Sequence, residues 1–417
     1  MIATVLLALA ILHTFSVKIF QKKALQHPEG SIAENFFHLL SEIEIAFGIW
    51  AAGYLAYLVF SAGTNAMLSY LNSLRFTEPA FVFVILIVCS TKPILYMAES
   101  FIEMIVKIFT KLLPLNQSLT YFIICILFGS ILGSFITEPA AMTVTSLLLY
   151  EKFLKKKISI QFKYAILGLL FVSISIGGTL THFAAPPVLM VARKWNWNFS
   201  YLFFNFGIKA FISIFISTVI IAARYHKEFR TLKWQSSEKQ YKTPTWVCMI
   251  HLLFLITIIH NAHHALLFAG IFFFFVGFAN ITKEYQTELN FRQGFLIAFF
   301  LAGVVILGTP QSWWLEPVLA HCEALSLYWG SIALTAIIDN AALTYMGTLV
   351  PHLSDASRYF LVAGSVVGGG LTVIANAPNL IGYTIASPAF GKEGISPLKL
   401  LQAALLPTVI AALCFLL

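Results

Sequence analysis

Two acidic residues, Glu138 and Asp339, each stand in a long stretch that holds no other charged residue. An isolated carboxylate inside hydrocarbon costs at least about 2.5–3.5 kcal/mol, so such a residue is rarely decorative. Burial favours the protonated form of a carboxyl group, whereas a bound sodium ion favours the ionised form. The same group can therefore hold either a proton or sodium, which predicts exchange chemistry at these positions. A purely structural hydrogen-bonding role for the pair is the alternative.

Neutral polar residues that suit an ion site follow these acids or lie in two glycine- and proline-rich stretches: Asn340, Thr143, Thr344, Asn376, Asn379, Thr181 and Thr372. Their side-chain oxygens are suited to a hard cation. Helix caps use the same residue types, so a capping role stays open for all of them. His182 changes its charge near physiological pH and is a candidate proton relay or gate, with packing as the alternative.

The acidic residues belong to a motif that occurs twice. GSILGSFITEPAAMT (129–143) aligns with GSIALTAIIDNAALT (330–344), which places Glu138 opposite Asp339. A second pair follows in the same order, GGTLTHFAAPPVL (177–189) and GGGLTVIANAPNL (368–380). Two matched motifs, one of each in either half, predict a chain built from two structural repeats.

Long apolar segments must hold these motifs. Of the 417 residues, 59% are hydrophobic and only 11% are charged, whereas soluble domains carry about a quarter charged residues. The composition therefore predicts an all-α polytopic membrane protein in contact with the lipid bilayer. A span needs roughly 20 mostly apolar residues. About ten or eleven spans are expected, the clearest at 2–19, 38–61, 79–98, 163–195, 200–222, 246–262, 264–281, 291–309, 357–388 and 396–417.

Two further segments, 118–153 and 313–352, are too long for one crossing and have a polar interruption in the middle. Lysines flank the first segment and place both its ends in the cytoplasm, because Lys and Arg concentrate in cytoplasmic loops. The basic linker 223–243 belongs there too, so both ends of the second segment lie outside. We therefore predict a re-entrant hairpin in each of two inverted-topology repeats, 1–222 and 244–417.

The glycine- and proline-rich motifs interrupt two of the expected spans, 163–195 and 357–388, and predict broken helices. Unwound backbone in a membrane survives only where protein or a polar cavity surrounds it. Matching interruptions in two inverted halves indicate a transporter's midplane binding site. Free carbonyls and half-helix C-terminal ends can bind a cation, whereas N-terminal ends favour an anion. The interruptions alone leave the sign of the substrate open.

Other classes of function find no support in the residues. The net charge of +8 is spread over short loops and forms no patch for nucleic acid. The five cysteines lie far apart without a CxxC pair, and no second histidine motif accompanies His260, His263 and His264. No phosphate-binding loop is present. Neither an enzyme nor a resident cofactor is expected.

Several motifs resemble known families. IIDNAALT (337–344) and GGGLTVIANAPNL (368–380) resemble the signatures of the ion transporter superfamily, which includes sodium/proton antiporters, citrate and dicarboxylate carriers and arsenite pumps. HLLSEIEIAFGIW (38–50), ITEPAAMT (136–143) and THFAAPPVLM (181–190) are similar to the bacterial family called putative Na+/H+ antiporters. The resemblance implies a scaffold and a transport domain, elevator-type alternating access and usually a homodimer, here in the bacterial inner membrane.

By position, the resemblance also implies hairpin tips at Glu138–Pro139 and Asp339–Asn340, and helix breaks at Ala184–Pro187 and Ala375–Asn379. The Ser-Asn-Thr clamps of the dicarboxylate carriers are absent at both tips. This makes an organic anion a less suitable substrate, and the two acids favour a sodium/proton antiporter in which Glu138 and Asp339 are the ligands of the sodium ion. An anion, dicarboxylate or metalloid carrier on the same fold is the alternative.

Three charged residues outside the repeated motifs have no assigned role in the site. Lys92 either neutralises a carboxylate such as Glu138 or extends towards the membrane interface. Glu42 and Glu44 stand early in the second expected span and suit an interfacial position, with His38 and Glu42 on one helix face.

Overall fold

The computed structural model describes residues 1–112, 116–232 and 243–417. Over these ranges the chain is all-helical, with 81% helix and no strand, which confirms the predicted all-α class. About half of the predicted cytoplasmic linker 223–243, including Lys233, Lys239 and Lys242, lies outside the described residues.

The described α-helices are numbered in chain order, and short 3-10 or π-helical turns join some of them. Their bounds are α1 Ile2–Ala24, α2 Ile32–Leu40, α3 Ile43–Ala62, α4 Thr64–Ser73, α5 Thr77–Cys89, α6 Lys92–Leu112, α7 Gln117–Ile136, α8 Glu138–Leu149, α9 Ile160–Gly177, α10 Pro186–Ala192, α11 Phe199–Leu202, α12 Ile208–Arg224, α13 His226–Thr231, α14 Thr245–His260, α15 Ala265–Ile281, α16 Phe291–Gly308, α17 Ser312–Ala320, α18 Ala324–Thr335, α19 Asn340–Thr348, α20 Asp355–Gly368, α21 Pro378–Ala386 and α22 Pro397–Leu416.

Six helical segments of the described chain are long and apolar enough to cross a membrane, and the protein is therefore a multi-pass membrane protein. They are Glu44–Ala62, Gln117–Ile136, Ile160–Leu180, Phe199–Arg224, Phe291–Leu319 and Pro397–Leu416. The helices α4 and α5 meet at a bend of 67° and make a seventh span if they are counted as one. Shorter apolar helices include Ile2–Val17, Thr245–His260, Ala265–Ile281 and Ala324–Thr335.

The count of six or seven spans is lower than the ten or eleven expected, because several expected spans are short or divided. The segments 246–262 and 264–281 form helices of 16 and 17 residues, close to the lower limit of the length that a full crossing needs. The segment 79–98 is divided between α5 and α6. The segments 163–195 and 357–388 are each divided by an unwound stretch, as the sequence predicted.

One predicted boundary is wrong. The helix α16 does not stop near residue 309 but continues through the 3-10 turn Thr309–Gln311 into α17, and the apolar span runs from Phe291 to Leu319. The turn carries a proline at its start, where the fixed φ suits a helical turn and no intrahelical N–H is needed. The start of the predicted hairpin 313–352 therefore belongs to the preceding span.

The expected span 38–61 is also divided, at Ser41 and Glu42. His38 lies on α2 and pairs with Glu34 at 3.3 Å, whereas Glu42 precedes α3 and pairs with Arg292. The expected shared helix face of His38 and Glu42 is therefore wrong, because the helix ends between them. Lys92 is half-buried at the first residue of α6.

Glycines let pairs of helices approach to backbone contact. On α16, a Cβ at Gly303 would lie 2.6 Å from the carbonyl carbon of Phe47 on α3. The ring of Phe47 also packs edge-on against that of Phe300, with 5.0 Å between centroids. On the central helix α9, a Cβ at Gly168 would lie 2.7 Å from the backbone of Ala403 on α22. Small residues at such contacts are typical of helices that associate tightly inside membranes.

We expect Gly303→Ala to separate α3 from α16 and to lower the free energy of unfolding by about 1–3 kcal/mol, because a methyl group has no room against that backbone. The melting temperature of the detergent-solubilised protein measures the effect. Gly53→Ala on α3 is the control, since its added methyl would meet no atom within 4 Å. Equal melting temperatures for the two variants would contradict the tight pairing.

Candidate ion-binding site

Glu138 is the first residue of α8 and is fully buried, at 0% exposure. Its Oε2 accepts a hydrogen bond of 2.9 Å from Nδ2 of Asn376. Its Oε1 is buried without a hydrogen-bond partner among the described residues. Asn376 belongs to the second break, defined here as residues 369–377 between α20 and α21. The acid of the first half thus contacts an amide of the second half.

The junction between α7 and α8 is the single residue Thr137, which has a φ of 73° and is buried. A threonine in this region of backbone space costs on the order of 1–3 kcal/mol and persists only where its surroundings enforce it. Pro139 follows at the start of α8, a position that suits proline. The junction directs Glu138 to the positive N-terminal end of α8, which favours a carboxylate.

The first break, defined as residues 178–185 between α9 and α10, approaches Glu138 through a glycine. A Cβ at Gly178 would lie 2.5 Å from both Cγ and Oε1 of Glu138, so only glycine leaves room for this carboxylate. Both breaks therefore meet the same acid, one through a side-chain amide and one through close backbone approach.

Ser134 of α7 ties the first break to the helix that precedes Glu138. Its Oγ donates to the carbonyl of Gly177 at 2.7 Å and accepts from the N–H of Leu180 at 2.9 Å. The hydroxyl of Thr181 donates to the carbonyl of Ser134 at 2.5 Å. These bonds satisfy backbone groups that the end of α9 leaves free, as a buried break requires.

Asp339 lies at the α18–α19 junction, residues 336–339, and is half-buried. Its Oδ1 caps α19 by accepting from the N–H groups of Ala341 at 2.8 Å and Ala342 at 3.3 Å. The N–H of the next residue, Asn340, donates to the carbonyl of Ala375 at 3.1 Å. Ala375 is the neighbour of Asn376, so both junctions are bonded to consecutive residues of the second break.

The side chain of Asn340 is fully buried, and neither its Nδ2 nor its Oδ1 has a hydrogen-bond partner within the described ranges. A Cβ at Gly369 would lie 2.9 Å from this Nδ2 and 2.2 Å from Oγ of Ser175. Gly369 therefore makes room for Asn340 as Gly178 does for Glu138, and the two glycines align in the repeated motif.

Two predicted site residues, Asn379 and Thr372, stabilise the second break through hydrogen bonds to backbone carbonyls. Asn379 donates from Nδ2 to the carbonyls of Gly369 at 2.7 Å and Thr372 at 2.8 Å, and its buried Oδ1 has no partner in the described structure. The hydroxyl of Thr372 donates to the carbonyl of Ala336 at 2.9 Å. Side chains thus replace the backbone hydrogen bonds that unwinding removes.

Two other candidate site residues, Thr143 and Thr344, form hydrogen bonds within their own helices. The hydroxyl of Thr143 donates to the carbonyl of Pro139 at 2.8 Å, and that of Thr344 to the carbonyl of Ala341 at 3.1 Å. Both are bonds to the preceding turn of the residue's own helix, which is a common use of threonine in helices. They hold the hydroxyl hydrogens away from Glu138 and Asp339.

His182 lies in the first break, where its ring faces that of His263 with centroids 6.1 Å apart and contacts Phe183 edge-on at 5.6 Å. His263 belongs to the connection between α14 and α15. His182 therefore contacts the α14–α15 connection. Its role as a proton relay or gate for Glu138 stays a prediction.

Comparison with known families decides the membership of the chain. The family model described as "Putative Na+/H+ antiporter" matches residues 1–417, which is the whole chain. The chain belongs to this family. No curated protein matches it.

In this member of the family, several side-chain oxygens at the centre are left without a hydrogen-bond partner in the described part of the chain. Buried side-chain oxygens without a hydrogen-bond partner in the described ranges include Thr137 Oγ1, Glu138 Oε1, Asn340 Oδ1 and Asn379 Oδ1. One belongs to a carboxylate, two to amides and one to a hydroxyl group, a set that fits a hard cation. A buried oxygen without a partner is costly, and a bound cation would remove that cost.

Sequence reasoning missed several residues that shape the centre of the protein. Ser134, Gly178 and Gly369 carry no charge, and their importance comes from contacts between segments far apart in the chain. The signal that could have found the glycines is the repeated Gly-Gly pair at the start of each break motif. Ser134 lies in the first repeated motif, and the aligned residue in the second is Thr335.

We expect Gly178→Ala to displace the Glu138 carboxylate and to lower the free energy of unfolding by about 1–3 kcal/mol, because the added methyl would lie 2.5 Å from it. Gly133→Ala is the matched control on the neighbouring helix, since its methyl would meet Ala141 at an ordinary 3.5 Å. Thermal unfolding in detergent compares the two. A Gly178→Ala protein as stable as the Gly133→Ala protein would be inconsistent with this packing.

Proposed function

We propose that the protein is a secondary transporter that exchanges sodium for protons at one central site formed by Glu138, Asn376, Asn340 and Asp339. The observation that carries the proposal is the environment of Glu138. This acid is fully buried, and its carboxylate has one amide partner and one oxygen without a partner in the described chain. Such a group needs a positive charge beside it or a proton on it.

Competition between the two ions follows from this need. With sodium bound, the carboxylate is ionised and the amide oxygens of Asn340 and Asn379 can replace water around the ion. With a proton bound, the carboxyl group is neutral and its attraction for sodium is lost. One ion therefore leaves before the other binds. Moving one elementary charge across 100 mV is worth about 2.3 kcal/mol, enough to drive such an exchange.

Paired contacts support the proposal that the two halves are inverted repeats with equivalent hairpins and breaks. A Cβ at Gly177 would lie 2.6 Å from the carbonyl oxygen of Ser130, and one at Gly368 would lie 2.6 Å from that of Ile332. The helix pairs α7–α8 and α18–α19 each pack against one another across their junction. Equivalent glycines thus bring each break against the equivalent helix.

An elevator movement of the junctions and breaks against a scaffold is part of the proposal. A small cavity separates Thr137, Pro139 and Ala377 from Val82 of α5 and Ile297 of α16. The cavity at this boundary supports sliding of one body over the other, in contrast to the backbone contact between α3 and α16. We also propose the homodimer that the family resemblance implies.

A carrier for anions, dicarboxylates or metalloids would bind its substrate at half-helix N-termini, and α8 and α19 both begin at the centre. Here, however, Glu138 and Asp339 occupy those two ends. Their carboxylates offset the positive ends of the helix dipoles and would repel an anion. The placement of the acids therefore favours a cation.

We expect Glu138→Gln and Asp339→Asn each to reduce sodium-induced collapse of a pH gradient in everted vesicles by about tenfold or more, because loss of one buried charged partner costs about 2–5 kcal/mol. Asp355→Asn is the matched control, since that carboxylate is 94% exposed. An anion carrier would tolerate the two buried neutralisations. Unchanged sodium response in both variants would remove the cation site.

We also expect sodium to stabilise the purified protein. Ligand at 100 times its dissociation constant adds about 2.7 kcal/mol to the free energy of unfolding. The melting temperature in NaCl should therefore exceed that in choline chloride of the same ionic strength, and Glu138→Gln should reduce the difference. An undiminished difference in Glu138→Gln would show that Glu138 does not bind the sodium ion.

A further inference from the structure

A third acidic residue, Glu44 of α3, lines a small cavity together with Asp339. The remaining walls are apolar and consist of Phe300, Val373, Ile374, Ala377 and Leu380. Oε2 of Glu44 is buried and has no hydrogen-bond partner within the described chain. A carboxylate oxygen in apolar surroundings without a partner carries an uncompensated desolvation cost, so it indicates a ligand.

The helices α3 and α16 hold Glu44 against this cavity. Gly48 follows Glu44 by one helical turn, and a Cβ at Gly303 of α16 would lie only 2.7 Å from the backbone nitrogen of Gly48. Phe300, which forms part of the cavity wall, packs edge-on against Phe47. The close packing of α3 against α16 therefore fixes the position of Glu44 beside the cavity.

The opposite side of the cavity belongs to the junctions and breaks. Asp339 is held by the amides of Ala341 and Ala342 through Oδ1. Ile374 and Ala377 lie within two residues of Asn376, the partner of Glu138. The second break thus borders the Glu44 cavity and the Glu138 carboxylate at once.

The charged and titratable groups around Glu44 are already engaged. Glu42 pairs with Arg292 of α16 at the exposed end of the two helices. His13 of α1 bonds from Nε2 to the carbonyl of Leu40 at 2.9 Å, and its Nδ1 accepts from the indole N–H of Trp50 at 3.2 Å, which fits the neutral tautomer. The described lining of the cavity holds no basic side chain.

We propose that Glu44 and Asp339 form a second cation site, which one proton or one sodium ion occupies at a time. The inference rests on the proposed exchange function and extends it, with Asp339 common to both sites. Two carboxylates that face one apolar cavity repel each other, and a single positive charge between them offsets that repulsion. Because Glu44 and Asp339 come from different bodies, occupation of the site stabilises the arrangement in which the two bodies are in contact.

Proton release on sodium binding tests the second site. The full chain, purified in detergent, is titrated with NaCl in weakly buffered solution containing a pH indicator. Glu44→Gln should release about one proton fewer per protein than the wild type, because bound sodium displaces protons from its ligands. Glu42→Gln, which changes a neighbouring acid that is paired with Arg292, should match the wild type. Equal release from Glu44→Gln and wild type would overturn the second site.

Infrared difference spectra on a change of pH, recorded without sodium, separate this inference from the exchange function. We expect Glu44→Gln to lose a protonated-carboxyl band that Glu42→Gln and Glu44→Asp keep. If the wild type shows no sodium response, the exchange function fails, and loss of this band still supports a shared proton at Glu44. If Glu44→Gln keeps every carboxyl band of the wild type, the second site is wrong whatever transport shows.

Discussion

The hydrogen bond between Asn376 and Glu138 is the contact on which the centre of this protein depends. It joins the start of α8 in the first half to an unwound segment in the second half. Inside a membrane neither group has water as an alternative partner. The preceding residue of the same segment, Ala375, receives the N–H of Asn340. A stretch of two residues therefore fixes both junctions relative to one another, and the remaining contacts are arranged around it.

The energetics of the centre explain why the acids lie at helix ends. Burial of a carboxylate is costly, and an N-terminal helix end lowers that cost through its dipole and its free N–H groups. Asp339 uses both effects by accepting two backbone N–H bonds. Glu138 has one amide bond and keeps one oxygen without a partner in the described structure. The two acids are therefore not equivalent, and Glu138 has the greater need of a counter-charge.

The sequence predicted the parts of this structure that leave a trace in residue type. Glu138 and Asp339 were found because charge is rare in apolar segments, and the breaks because glycine and proline interrupt helices. The boundary near 309 was wrong because a 3-10 turn with a proline in its first turn joins α16 to α17, and proline is tolerated at that position. Ser134, Gly178 and Glu44 act through contacts between distant segments, which spacing along the chain does not encode. The hydroxyl groups of Thr143 and Thr344 bond within their own helices, a choice that residue type alone left open.

The repeated motifs differ at the position that matters most to Glu138. When the two break motifs are aligned, Asn376 of the second falls opposite Ala185 of the first. Alanine has no side-chain amide, so Asp339 at the second junction cannot receive from the first break the kind of hydrogen bond that Glu138 receives from Asn376. The repeated motif therefore occurs twice, but the asparagine that bonds Glu138 occurs only once. The two break motifs are complementary, and neither could replace the other without loss of this hydrogen bond.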